Sequence, residues 1–110
     1  MHRLIADGFM VDVVRGRSDD PDVYAGVKTL LNDEPLDLLH IDGAHSYEGA
    51  SFDWNIYAPL VREGGLAVLH DIGTQTSQMN VKRLWEEIKA EGVYVTHETY
   101  EKNGIGVVEM

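Results

Sequence analysis

No cysteine occurs in these 110 residues, which excludes disulfides, thiolate metal sites and a cysteine nucleophile, and fits a reducing compartment. Basic residues are scarce: nine Lys and Arg stand against nineteen Asp and Glu, a net charge of −10. Nucleic-acid affinity is carried largely by Lys and Arg, and these nine are scattered, so a phosphate-backbone partner is not expected. Long apolar runs are missing too. None approaches the ~20 residues of a membrane span, and the N-terminus has no signal-peptide core, so a cytoplasmic protein without a membrane partner is the default expectation. Repeats, linkers and low-complexity segments are absent. With 44% hydrophobic and 25% charged residues, the composition is that of one globular domain spanning residues 1–110.

What is present is organised around residues 36–73. Two apolar runs, Leu36–Ile41 and Leu66–Leu69, each end in ionisable side chains, Asp42-Gly43-Ala44-His45 and His70-Asp71. Continuous apolar runs suit strands buried on both faces of a parallel sheet. Between them Tyr47, Ala50, Trp54, Tyr57, Ala58 and Val61 recur at helical spacing, which predicts a crossover helix. Ligands of such sheets sit beyond the carboxyl ends of the strands, where Asp42, His45, His70 and Asp71 all fall.

The flanking segments complete an alternating pattern. Met1–Gly8, with its closing glycine, reads as the last turn of a helix, and Phe9–Val14 as a first strand. Asp20-Pro21 is a helix start, with Val23, Val27, Leu30 and Leu31 as its apolar face and Asn32–Pro35 as its stop. Thr74–Met79 has no periodicity and is expected to be a mobile loop over the strand ends. Asn80 caps a further helix with Val81, Leu84, Trp85 and Ile88 on one face, ended by Gly92. Val93–Tyr100 and Ile105–Glu109 are strands joined through Asn103-Gly104, a strong hairpin signal. The expectation is α/β, a three-layer Rossmann-like sheet. A right-handed crossover would place the first strand beside Leu36–Ile41.

Several of these residues have two readings. Asp42 either serves chemistry or caps the turn at Gly43. His45 is a general base if it faces a substrate hydroxyl, its ordinary pKa lying near neutrality, and otherwise an exposed or helix-capping histidine. His40 belongs to the strand and is expected to pack in the sheet face or to hydrogen-bond there. Trp54, Tyr57 and Trp85 are core, and Asp53 reads as a solvated helix residue.

The stretch IDGAHSYEGASFDWNIYAPLVREGGLAVLHDI, followed by VKRLWEEIK and a final hairpin, resembles the C-terminal half of a class I S-adenosylmethionine-dependent methyltransferase. It is most similar to the branch of macrocin O-methyltransferases and cephalosporin hydroxylase-like proteins. That family's sheet has strand order 3-2-1-4-5-7-6, and the five strands here correspond to its third through seventh; with the first strand beside Leu36–Ile41, the resemblance implies five strands in order 1-2-3-5-4 with the last antiparallel. The resemblance implies a truncated domain with an incomplete cofactor site. The family's Gly-rich turn after strand 1 and the acidic residue ending strand 2 have no counterpart, and no glycine here has the strand–Gly-x-Gly–helix context. The adenine-side element falls at Gly16-Arg17-Ser18, where Ser18 fits and Arg17 departs.

By the same resemblance, Ser18, Asp42 and Gly43 would contact S-adenosylmethionine. His45 and His70 would be catalytic, in O-methyl transfer to a small molecule. Asp42, His70 and Asp71 would hold a divalent metal such as Mg²⁺, or a softer ion given the imidazole. The alternative is a non-catalytic interaction or small-ligand-binding module that keeps only the fold. Loss of two central strands leaves an apolar edge, which predicts a homodimer through residues 1–14 and helix 21–32.

Overall fold

A computed structural model describes residues 2–110. The chain forms two compact units, Met1–Glu34 and Pro35–Met110. In the first, β1 (His2–Ala6) and β2 (Phe9–Val13) form an antiparallel hairpin. Its turn residues, Asp7 and Gly8, have φ of 53° and 80°. Two successive left-handed residues are what a two-residue hairpin requires, and Asp-Gly adopts them with little strain.

Two expectations are corrected here. Residues 2–6 are a strand and not the end of a helix, while Met1 lies outside the described residues. The strand at Phe9–Val13 pairs with β1 and is not a member of the sheet that contains Leu36–Ile41. The five-strand order 1-2-3-5-4 therefore does not hold. The physical reason is local: closing a two-residue turn costs far less chain entropy than closing a crossover through a helix. In this unit α1 (Pro21–Leu31) starts as expected. The Asp20 side chain accepts from the Asp22 N–H at 2.8 Å, Pro21 occupies the first turn, and Asn32 ends the helix at φ 49°.

The second unit holds a mixed sheet of β3 (Leu36–Ile41), β4 (Val61–His70), β5 (Val95–Thr99) and β6 (Ile105–Glu109) in order β3-β4-β6-β5. β3 and β4 are parallel, and β6 runs antiparallel to both its neighbours. Between β3 and β4 lie α2 (Tyr47–Tyr57) and a single 3₁₀ turn, Ala58–Leu60; α3 (Val81–Glu91) precedes β5. Side chains alternate across a strand, so one face of this sheet carries Ile41, Ala67, Leu69 and Val108. They pack with Ala50 and Trp54 of α2 and with Leu84, Trp85 and Ile88 of α3. Burying each large side chain contributes about 1.5–3 kcal/mol.

The other face keeps Leu38, Leu66, Val95 and Ile105 exposed, Leu38 by 55%. Within this unit the helices cover one face only, so it has two layers where three are expected. The helices are also tied to each other: the Tyr47 hydroxyl lies 2.7 and 2.9 Å from the Glu87 carboxylate oxygens, and the Arg83 guanidinium stacks 3.8 Å above the Tyr47 ring. Among the described residues no helix is long and apolar enough to cross a membrane.

Candidate functional site

Because β3 and β4 are parallel, their carboxyl ends meet at one edge, and the residues that follow them converge there. The Asp42–His45 loop is held from behind by α2. Ser46 caps that helix by accepting from the Gly49 N–H at 3.1 Å, and Gly49 has no room for a side chain because Ala44 lies against it. The Asn80 N–H donates to the His45 carbonyl at 2.9 Å, which ties the loop to the start of α3.

Asp71 is fixed from the other side. Its backbone is left-handed, φ 64°, a conformation costly for most residues but tolerated by Asp. Its N–H donates to the Gly104 carbonyl, and Gly73 N–H to the Asn103 carbonyl, both at 2.9 Å. Fully buried Ile72 between them anchors the turn. The segment Thr74–Met79 has hydrogen bonds of its own, with Thr76 Oγ1 accepting from the N–H groups of Gln78 and Met79.

The result is a compact group of donors. His45 Nε2 lies 3.0 Å from Asp71 Oδ2 and 3.4 Å from Asp42 Oδ1. One ligand atom from each of Asp42, His45 and Asp71 falls within 4.8 Å of the others. His70 Nδ1 lies 3.0 Å from Asp71 Oδ2 and 3.6 Å from Asp42 Oδ1, yet its contact with Asp71 lacks hydrogen-bond geometry and the enclosed atom has no hydrogen-bond partner. Its contact with the Asp71 carboxylate raises the His70 pKa above its ordinary value. Burial opposes this, and the charges of Asp71 and Asp42 add to it. The Asp71 side chain is nearly enclosed while Asp42, His45 and His70 are partly open, so the group has a buried floor and an accessible mouth.

Atoms bound to one ion at 2.0–2.2 Å stand roughly 3 Å apart. The 3.0 and 3.4 Å contacts of His45 have that spacing, so the donor set fits a cation. The set that converges is Asp42, His45 and Asp71, with His70 at its rim, whereas the sequence pointed to Asp42, His70 and Asp71. S-adenosylmethionine fits less well. The turns from β2 to α1, β3 to α2 and β4 to α3 contain one glycine each, Gly16, Gly43 and Gly73, so none is a Gly-x-Gly phosphate-type or cofactor turn.

Other sequence-derived candidates are placed as follows. Ser18 belongs to the first unit, in the turn before α1 and next to the 2.9 Å Arg17–Asp19 ion pair. Gly43 lies in the β3–α2 loop, with the Asp53 carboxylate 3.5 Å from where its Cβ would be. His40 is exposed on its sheet face, where its ring stands edge-on to that of His70 with centroids 6.4 Å apart. Asp53 is corrected outright: it is buried, at 7% exposure, and not solvated. The signal for this was its spacing seven residues after Ser46, on the helix face that meets the loop.

The chain belongs to the Methyltransferase domain family, whose profile matches residues 4–72. Among curated proteins it is 28% identical over 60 residues to the uncharacterized protein y4gI of Sinorhizobium fredii (strain NBRC 101917 / NGR234), a match covering 54% of this chain and 7% of that protein. Among solved structures it is similar to a Staphylococcus aureus protein provisionally described as a caffeoyl-CoA O-methyltransferase. The TM-score is 0.57 at 18% identity, over 79% of this chain and 48% of that one. The likeness shows a methyltransferase-like α/β fold, and the chain spans about half the length of that structure and a small part of the curated relative.

Proposed function

We propose that this chain provides the metal-and-acceptor side of an S-adenosylmethionine-dependent O-methyltransferase centre, in the macrocin O-methyltransferase and cephalosporin hydroxylase-like branch. The observation that carries the reading is the convergence of Asp42, His45 and Asp71 at the ends of two adjacent parallel strands. In this reading those three side chains hold a divalent cation and leave a position open on the exposed side, as catalytic sites do. When bound, the ion would act as a Lewis acid towards an acceptor hydroxyl. One imidazole among two carboxylates favours Mn²⁺ or Zn²⁺ over Mg²⁺.

His70 then serves as general base. At the rim of the group, its neutral imidazole would accept the hydroxyl proton. In this reading Asp42 and Gly43 are the second unit's contribution to S-adenosylmethionine binding, and none of the three strand-to-helix turns carries a Gly-x-Gly sequence. The single glycine in each of those turns favours a second reading, a metal- or small-ligand-binding module that keeps only the fold. We also propose a homodimer through the hairpin, where Leu4, Phe9 and Val11 share one largely exposed face.

The test is a melting-temperature titration with Mn²⁺, Zn²⁺ and Mg²⁺, in parallel with S-adenosylmethionine calorimetry. A metal-dependent rise that Asp42→Asn abolishes is expected, since binding to the native state alone stabilises it. No rise with any of the three ions in the unmutated protein would sink the metal reading. Cofactor binding without such a rise would point to a metal-independent centre, and metal binding without cofactor binding to the module.

A further inference from the structure

Asp53 stands in the second turn of α2 at 7% exposure. Its Oδ1 is enclosed and without a hydrogen-bond partner. Its Oδ2 faces Gly43, 3.5 Å from the position a Cβ there would take. The carboxylate is therefore directly behind the loop that presents Asp42 and His45. Among the described residues no Lys, Arg or His forms an ion pair with it. A buried carboxyl left in that state is costly, by the desolvation of an unpaired polar or charged group. Its presence is a local conflict of the kind found at functional sites.

We infer that Asp53 is a positioning residue of the Asp42–His45–Asp71 group: enclosed behind Gly43, its carboxylate supports the loop and adds negative charge that strengthens cation binding. This rests on the metal reading given above. It deepens that reading by assigning a residue outside the ligand set. Two properties follow that a purely structural role would not give. The cost of Asp53 falls on the metal-free fold, whereas its benefit appears only when a cation is present. Outer-shell partners of metal sites commonly change affinity by about 10–100-fold when removed.

The experiment compares the full chain with its Asp53→Asn and Asp53→Ser variants, by Mn²⁺ and Zn²⁺ calorimetry and by melting in chelator. The expected result is at least an approximately tenfold weaker Kd in the variants, with a metal-free melting temperature equal to or above that of the unmutated protein. A fall in melting temperature with Kd unchanged would make Asp53 an ordinary structural residue and overturn the inference. So would variants that melt as well and bind as tightly as the parent. If the unmutated chain binds neither ion, the metal reading fails first and the inference falls with it. If the parent binds and the variants bind equally, only the inference fails. Should Asp53→Asn not fold, Asp53→Ser carries the same comparison.

Discussion

Glu98 in β5 offers a sharp test of what holds the second unit together. Its Oε2 accepts from the Trp85 indole N–H at 2.6 Å, the Lys89 ammonium at 2.9 Å and the Tyr100 hydroxyl at 2.9 Å. These donors, the indole foremost, hold the carboxyl down at about 2, against an ordinary value of 4.5. At ~1.4 kcal/mol per pH unit that depression corresponds to about 3 kcal/mol as an upper bound. The side chain is 35% exposed, so solvent screening reduces this to roughly 1–2 kcal/mol.

The sign follows from linkage. A carboxyl whose folded pKa lies below its unfolded one stabilises the fold above the unfolded value, and the contribution drains away as pH falls through the folded value. Glu98→Gln should therefore lower the melting temperature by about 5–10 °C at pH 7. The gap between parent and variant should shrink between pH 4.5 and about 2. Differential scanning fluorimetry over pH 2–7 reads both. A gap that stays constant down to pH 2 would refute the electrostatic account, because a loss of packing has no reason to titrate.

Two further outcomes follow from packing and exposure. At Gly106 a Cβ would stand 2.6 Å from the Trp85 ring, so Gly106→Ala should destabilise by about 1–3 kcal/mol and shift the tryptophan emission. An unchanged emission spectrum and midpoint would show that the ring has room to move. The exposed apolar face of the β1–β2 hairpin predicts self-association that Val11→Lys weakens; light scattering at micromolar concentration that gives the 12.3 kDa monomer mass for the unmutated chain would exclude the homodimer.

The second unit was legible in the sequence because each of its elements carries a strong local signal. Asn80 and Gly92 bracket α3 as cap residues do, and Asn103-Gly104 marks the β5–β6 hairpin. The α3 face of Val81, Leu84, Trp85 and Ile88 is buried as its periodicity predicts; on α2 Ala50, Trp54 and Tyr57 are buried, but Val61 belongs to β4 and Asp53 joins the buried face. In the first unit the strand at Phe9–Val13 and helix α1 stand where expected, and the departure is confined to the segment before them and to the strand's partner. Asp7-Gly8 between Leu4-Ile5 and Phe9-Met10 is a hairpin signal of the same kind as Asn103-Gly104, although a closing glycine also fits a helix end. Once that turn closes, β2 has a partner and no longer needs the sheet edge. The exposed sheet face was not legible either. Leu38 and Leu66 have the composition of residues buried on both faces, and composition does not reveal whether a second helical layer is there to cover them.

The candidate site shows the same division between what a strand end reveals and what only the fold reveals. Parallel strands put Asp42 and Asp71 at one edge, and that much follows from the two apolar runs. Which histidine completes the group depends on geometry that spacing does not contain. His70 is the last residue of β4, so its side-chain direction is set by the pleat, and it projects on the sheet face opposite Leu69, towards His40. Asp71 escapes the pleat by turning left-handed, held there by the carbonyl of Gly104. His45 escapes it too, in a loop anchored by Asn80 and backed by Ser46, Gly49 and Asp53. The donors that converge are the ones freed from the strands. The antiparallel strand β6 is therefore part of the site's construction as well as the sheet's, because its first residues bring the Gly104 carbonyl to the one edge where Asp71 must bend.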